Sequence, residues 1–136
     1  MKIQKIFKLP LVVAVLAAAI ITGCSKNDGV IGPNFNSSQV SFQISKQVGN
    51  FGGTQFLFRP SVDAKISTII CKLEAQQFAD TISFANTNYV YSKDTTYIIG
   101  EYTGIEIGQQ WKMNFTGALP SQNNSSYNVT SNYTVN

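Results

Sequence analysis

Histidine is absent from all 136 residues. Its absence removes the commonest general base near neutral pH and the commonest imidazole ligand for transition metals. Cysteine is nearly absent: Cys24 and Cys71 are the only two. Charge is sparse, with Asp, Glu, Lys and Arg together 12% of the chain, and no dense basic patch interrupts it. A protein without such a patch lacks the electrostatic footprint of a nucleic-acid binder. No run of alternating Asp and Asn of the EF-hand kind is present. A long apolar run is missing as well: the stretch Leu9–Ile21 has 13 residues, with Pro10 near its start. About 20 apolar residues are needed for a helix to cross hydrocarbon. The composition therefore predicts neither metal nor cofactor, no nucleic-acid partner and no membrane-spanning helix.

What the N-terminal stretch does contain is ordered. Lys2, Lys5 and Lys8 precede the apolar run, and small residues close it. A positive segment, a short apolar segment and small residues at its end describe a secretory signal peptide. The run ends on Ile21-Thr22-Gly23-Cys24. These four residues resemble the lipobox of bacterial lipoproteins at every position, and the resemblance spans residues 1–24. It implies cleavage before Cys24, a lipid on the Cys24 thiol and an acylated N-terminus. An ordinary secretory signal followed by an incidental cysteine is the alternative. One acyl chain holds a protein only marginally at about 0.8 kcal/mol per buried methylene. The two or three chains that the family implies would make release negligible. The resemblance thus implies a membrane partner reached through Cys24 and a place in the bacterial cell envelope. The outer membrane is expected, with its periplasmic or outer face left open.

Removing residues 1–23 changes the electrostatics. Three of the ten basic residues lie there; the seven that remain equal the seven acidic ones, so the chain from Cys24 is formally neutral. With Cys24 carrying lipid, Cys71 has no partner for an intramolecular disulfide. In "ISTIICKLEA" the residues Ser67, Ile69, Cys71, Leu73 and Ala75 fall on one strand face, which predicts a small core residue at Cys71. A reactive thiol is the alternative.

Residues 24–38 are rich in Gly, Pro, Asn and Ser and have no apolar period, which predicts a flexible tether. A 14-residue arm from Ser25 to Ser38 reaches roughly 20 Å. From Gln39 the apolar period becomes two. Val40, Phe42, Ile44 and Val48 alternate with polar residues, and Gly49–Gly53 breaks the strand. Phe56 and Phe58 are in phase before Pro60, which has no N–H for a ladder. Strands follow at 65–75 and 80–84. "NYVYSKDTTYIIGEY" predicts a hairpin turning at Ser92–Asp94. Trp111, Met113 and Phe115 point inward from the next strand, 118–126 is a loop, and Tyr127, Val129, Tyr133 and Val135 share a face. Only the 72–78 region admits a helical turn, and strand is preferred there.

Seven or eight short strands separated by turns predict an all-β, antiparallel sandwich or barrel. Residues 39–136 suffice for one domain with its own core. Over 109–135, a lone tryptophan on a strand, an aromatic alternation ending in Phe115-Thr116-Gly117, a loop and a final alternating strand resemble the closing hairpin of immunoglobulin-like and fibronectin type III domains. The resemblance implies a single immunoglobulin-like β-sandwich of about seven strands. The Cys–Trp–Cys set of antibody domains is absent. A small open barrel is the rival.

Candidate ligand contacts are few. Tyr89, Tyr91, Tyr97 and Tyr102 cluster within 14 residues. Tyrosine rings offer a flat apolar face with a polar tip on which a sugar could stack, but tyrosine is also common in strands. Asp94, Glu101 and Glu106 would need a shared cleft to act as a glycosidase pair. The Asn-x-Ser/Thr sites at Asn36, Asn114, Asn123, Asn124, Asn128 and Asn132 read as polar strand and loop faces in a bacterium. The expectation is a non-catalytic binding or structural module with an unidentified protein or glycan partner, recognised through loops 85–88, 92–95 or 118–126. A carbohydrate-active enzyme or its accessory domain, and a ligand-binding barrel, are the alternatives.

Overall fold

The computed structural model describes residues 40–136; the lipobox, Cys24, the tether and Asn36 lie outside the described residues. Eight strands follow in order: β1 (Phe42–Val48), β2 (Thr54–Pro60), β3 (Ala64–Leu73), β4 (Phe78–Ser83), β5 (Val90–Tyr91), β6 (Tyr97–Tyr102), β7 (Gln110–Leu119) and β8 (Ser125–Thr134). They form two antiparallel sheets, β1-β2-β6 and β4-β3-β7-β8, with β5 also paired to β3. The protein is therefore an all-β immunoglobulin-like sandwich. The closing hairpin read from residues 109–135 is real: β7 and β8 pair from Gln110↔Thr134 to Leu119↔Ser125.

Alternation built most of the core as expected. Phe56, Phe58, Trp111, Met113 and Phe115 are all buried from facing strands. Phe42 of the first sheet stacks on Phe115 of the second with centroids 4.0 Å apart and planes 6° from parallel. Phe56 lies 4.9 Å from Trp111, and Phe58 lies 5.5 Å from Phe115. Aromatic pairs at these distances add about 0.5–1.5 kcal/mol beyond the area they bury.

Strict alternation fails where the ladders carry an extra residue. The β3–β7 register shifts between Ile66 and Thr68. Before the shift Ala64 and Ile66 face the core; after it Ile69, Cys71 and Leu73 do. An extra residue in one strand moves every later side chain to the other face. Ser67 therefore leaves the inward set, and its hydroxyl donates to the Thr116 carbonyl at 3.0 Å. Cys71 is fully buried, as its phase predicts, and forms no disulfide among the described residues. A second shift, between Phe56 and Leu57 in the β2–β6 pairing, brings Ile99 and Tyr102 inward, although their positions differ in parity.

Four local expectations change. The Ser92–Asp94 segment is no hairpin turn, because β5 pairs with β3 whereas β6 pairs with β2, so 92–96 crosses from one sheet to the other. Glu74–Gln76 is a 3-10 turn rather than strand, closed by Gln77 in a left-handed conformation (φ 52°), and it leaves Ala75 exposed. A second 3-10 turn, Pro120–Gln122, sits in the β7–β8 loop. Val48 is 85% exposed instead of buried, because it is the last residue of β1 beside the turn.

The Phe42–Phe115 stack generates a stability prediction. Phe115→Ala should lose about 3–5 kcal/mol in urea unfolding, whereas Val48→Ala should change stability by no more than about 0.5 kcal/mol.

Candidate functional site

The register assigns each loop to one of two poles. Val40 enters where Phe42 faces Pro60, Tyr97 faces Phe58 and Ser125 faces Leu119. This entry pole gathers the β2–β3 connection, the 92–96 crossover and the β7–β8 loop; segment 85–88 runs toward it beside β3, between the β4 and β5 pairings. All three loops marked from sequence therefore lie at or toward one end. The far pole carries the β1–β2 turn, the 3-10 turn after β3 and the β6–β7 loop. Its exposed apolar residues are Val48, which alternation placed inside, and Phe51 and Ile107, which gave no sequence signal because loop exposure has no period.

The tyrosines do not make one platform. Tyr91 stands between Tyr89 and Tyr97, with centroids 4.8 and 4.9 Å away, both edge-on. Tyr89 is 49% exposed, but Tyr91 is buried against Phe58 and Phe84. Burial first, then Tyr89 and Tyr97, raise the Tyr91 phenol above its ordinary value. The Tyr97 hydroxyl accepts from the Ser92 N–H at 2.8 Å and so anchors the crossover. Tyr102 is fully buried in the opposite half of the core beside Phe56, Phe78 and Trp111. Its hydroxyl donates to Asp80 Oδ2 at 2.8 Å; burial first, then Cys71 and Asp80, push its ionisation far up. Tyr102 thus cannot touch a surface ligand, and of the four only Tyr89 presents a large exposed area.

Four carboxylates, Asp63, Glu74, Asp80 and Glu101, are occupied in building the fold. Glu101 accepts from three backbone N–H groups of the β1–β2 turn: Asn50 at 3.0 Å, Phe51 at 2.9 Å and Gly53 at 2.8 Å. Gly49 and Gly53 both lie close against β6. A Cβ on Gly49 would overlap the Glu101 carboxylate, and one on Gly53 would lie 2.7 Å from the Tyr102 carbonyl oxygen. Desolvation raises the Glu101 pKa, but the bonds from Gly53, Phe51, Asn50 and Gln55 outweigh it and hold it below the ordinary value. Glu74 pairs with Lys112 at 2.8 Å on the surface. Asp94 and Glu101 bracket β6 from opposite ends, roughly 20 Å apart at about 3.3 Å per residue, well beyond a glycosidase pair. Among the described residues no three His, Cys, Asp or Glu side chains gather as a metal site.

A polar groove of about 470 Å³ lies at the entry pole, between the outer face of the β1–β2 ladder and the crossover. Its walls are pinned. Arg59 Nε donates to the Lys93 carbonyl at 2.8 Å, and the Lys93 N–H donates to Asp63 Oδ1 at 2.9 Å. The Asp94 N–H donates to Ser92 Oγ at 3.2 Å, and the Ser41 N–H to Ser61 Oγ at 2.9 Å. Sequence reasoning missed this groove because Ser41, Arg59 and Lys93 lie on three different segments. Loop 92–95 was the one signal that pointed to it.

The chain matches no protein-family model, no curated protein and no solved structure.

Two measurements check this geometry. The tyrosine placement predicts that tetranitromethane modifies Tyr89 well before Tyr102 in the folded protein, read by peptide mass mapping. The lowered Glu101 pKa makes its contribution to stability complete above the ordinary glutamate value of about 4.3 and lost as pH falls through the folded value. The stability advantage over Glu101→Gln should therefore shrink on acidification, with the Phe51 and Gly53 amide resonances shifting in the native protein only.

Proposed function

We propose that the protein is a bacterial lipoprotein whose sandwich serves as a non-catalytic binding or structural module at the cell envelope. The Ile21-Thr22-Gly23-Cys24 sequence after a 13-residue apolar run carries the anchoring half of this reading. Cleavage before Cys24 and acylation of its thiol would leave residues 24–38 as an arm reaching roughly 20 Å from the lipid, in the outer membrane. The position of Val40 supports a defined orientation, because the arm would join the sandwich at the pole that also carries the crossover, the β7–β8 loop and the polar groove.

The occupation of four carboxylates supports the module half. Asp63 fixes the crossover, Glu74 pairs with Lys112, Asp80 accepts from Tyr102 and Glu101 closes a turn. Side chains committed to the frame in this way suit a rigid scaffold that presents loops to a protein or glycan.

Mass spectrometry of the protein purified from its native membrane tests the reading. The expected product begins at Cys24 and carries a diacylglycerol thioether and an N-acyl chain, and Cys24→Ser should lose both and leave the membrane fraction. An intact leader, or an unmodified amino terminus, overturns it.

A further inference from the structure

The entry-pole groove brings the chain's one arginine beside a lysine from a separate segment. Arg59 and Lys93 line it together with Ser41, Gln43, Ser61 and Asp94. Neither cation has a carboxylate within ion-pair distance among the described residues. Arg59 spends its Nε on the Lys93 carbonyl, which fixes the plane of the guanidinium and leaves its two terminal nitrogens without a hydrogen-bond partner among the described residues. Lys93 is held in turn through its backbone N–H by Asp63, and the crossover on either side of it is fixed by the Ser92 hydroxyl and the Tyr97 hydroxyl. The wall opposite is fixed by the reciprocal pairing of Ser41 and Ser61, in which the Ser61 N–H also donates to the Ser41 carbonyl at 2.9 Å. Positioned donors cost little to order when a ligand arrives. A guanidinium whose fork is free matches the paired oxygens of a phosphate, a lysine adds a point charge, and serine hydroxyls add neutral donors. Asp94, which also lines the groove, disfavours a highly charged anion and favours a ligand with an uncharged portion beside it.

We infer that this groove binds a phosphate-type oxyanion, held by Arg59 and Lys93 with help from Ser41 and Ser61. The inference rests on the reading of the protein as a binding module and is independent of the lipid on Cys24. A soluble phosphate ester and the phosphate of an anionic lipid headgroup present the same chemistry, and the groove's place at the pole where Val40 enters makes both reachable.

A single arginine gives a clean test. The full-length protein is treated with phenylglyoxal, which modifies arginine, and the extent of reaction at Arg59 is read by mass spectrometry. Inorganic phosphate should protect Arg59 saturably relative to chloride at equal ionic strength. Lys93→Gln should raise the phosphate concentration needed for half protection by roughly tenfold, the loss expected for one charge-assisted contact; its melting temperature, measured alongside, should match the native protein. A second arm reconstitutes the protein in vesicles of phosphatidylglycerol or of phosphatidylcholine without added phosphate. Protection by phosphatidylglycerol vesicles as well as by phosphate assigns the oxyanion to a lipid headgroup. Protection by phosphate alone assigns it to a soluble ester. Equal reaction of Arg59 with and without both probes, or unchanged protection in Lys93→Gln, overturns the site. The mass of the amino terminus is a separate readout, so loss of the lipid assignment and loss of the oxyanion site remain distinguishable.

Discussion

The contact on which the rest of the structure depends is the interlock of aromatic rings across the two sheets. Phe42, Phe56 and Phe58 from one sheet meet Trp111 and Phe115 from the other at centroid distances of 4.0 to 5.5 Å. Each sheet alone exposes one apolar face to water, and among the described residues neither has an α-helix or a disulfide to cover it. Closing these faces against each other removes large rings from water at about 25 cal/mol per Å² of apolar surface. It also fixes how the sheets sit, because ring pairs prefer edge-on or offset geometry over arbitrary contact. Placement of every loop at either pole follows from that fixed registry.

The polar interactions finish what the rings begin. The β1–β2 turn has few packing contacts of its own, with Phe51 79% exposed. Its shape comes from Glu101, a side chain 48 residues beyond Gly53, whose carboxylate gathers the backbone donors of the turn. A charged acceptor for several N–H groups is stronger than the neutral carbonyl of an ordinary tight turn. The crossover at the entry pole is organised by the same principle, with Asp63 and the Ser92 and Tyr97 hydroxyls supplying acceptors to backbone N–H groups. No buried side-chain polar atom among the described residues lacks a partner.

How legible this was in the sequence depends on the range of the cause. Alternation is local, so Phe56, Phe58, Trp111, Met113, Phe115 and Cys71 were placed correctly inside, and the closing hairpin could be read from residues 109–135. Bulges defeat alternation from the point of insertion onward, which is why Ser67 left the inward set and why Tyr102, out of phase with Tyr89, Tyr91 and Tyr97, became a core residue. The Ser92–Asp94 segment has the composition of a hairpin turn, but strand partners are chosen by tertiary packing, and β5 and β6 ended in different sheets. The groove at Arg59 was illegible for the same reason. Only the fold puts a residue of β2 beside one of the crossover.

The polar arrangement of the chain has a mechanical side. Val40 lies at one end of the sandwich, and Val135, bonded to Gly108 and Gln109, lies at the other. A pull between these two points runs along the strands rather than across them. The rungs of the β1–β2 and β7–β8 ladders are perpendicular to that direction, so tension loads them in shear, all together, instead of unzipping them one at a time. A domain strung between a surface and whatever grips its far end would therefore yield at a high force.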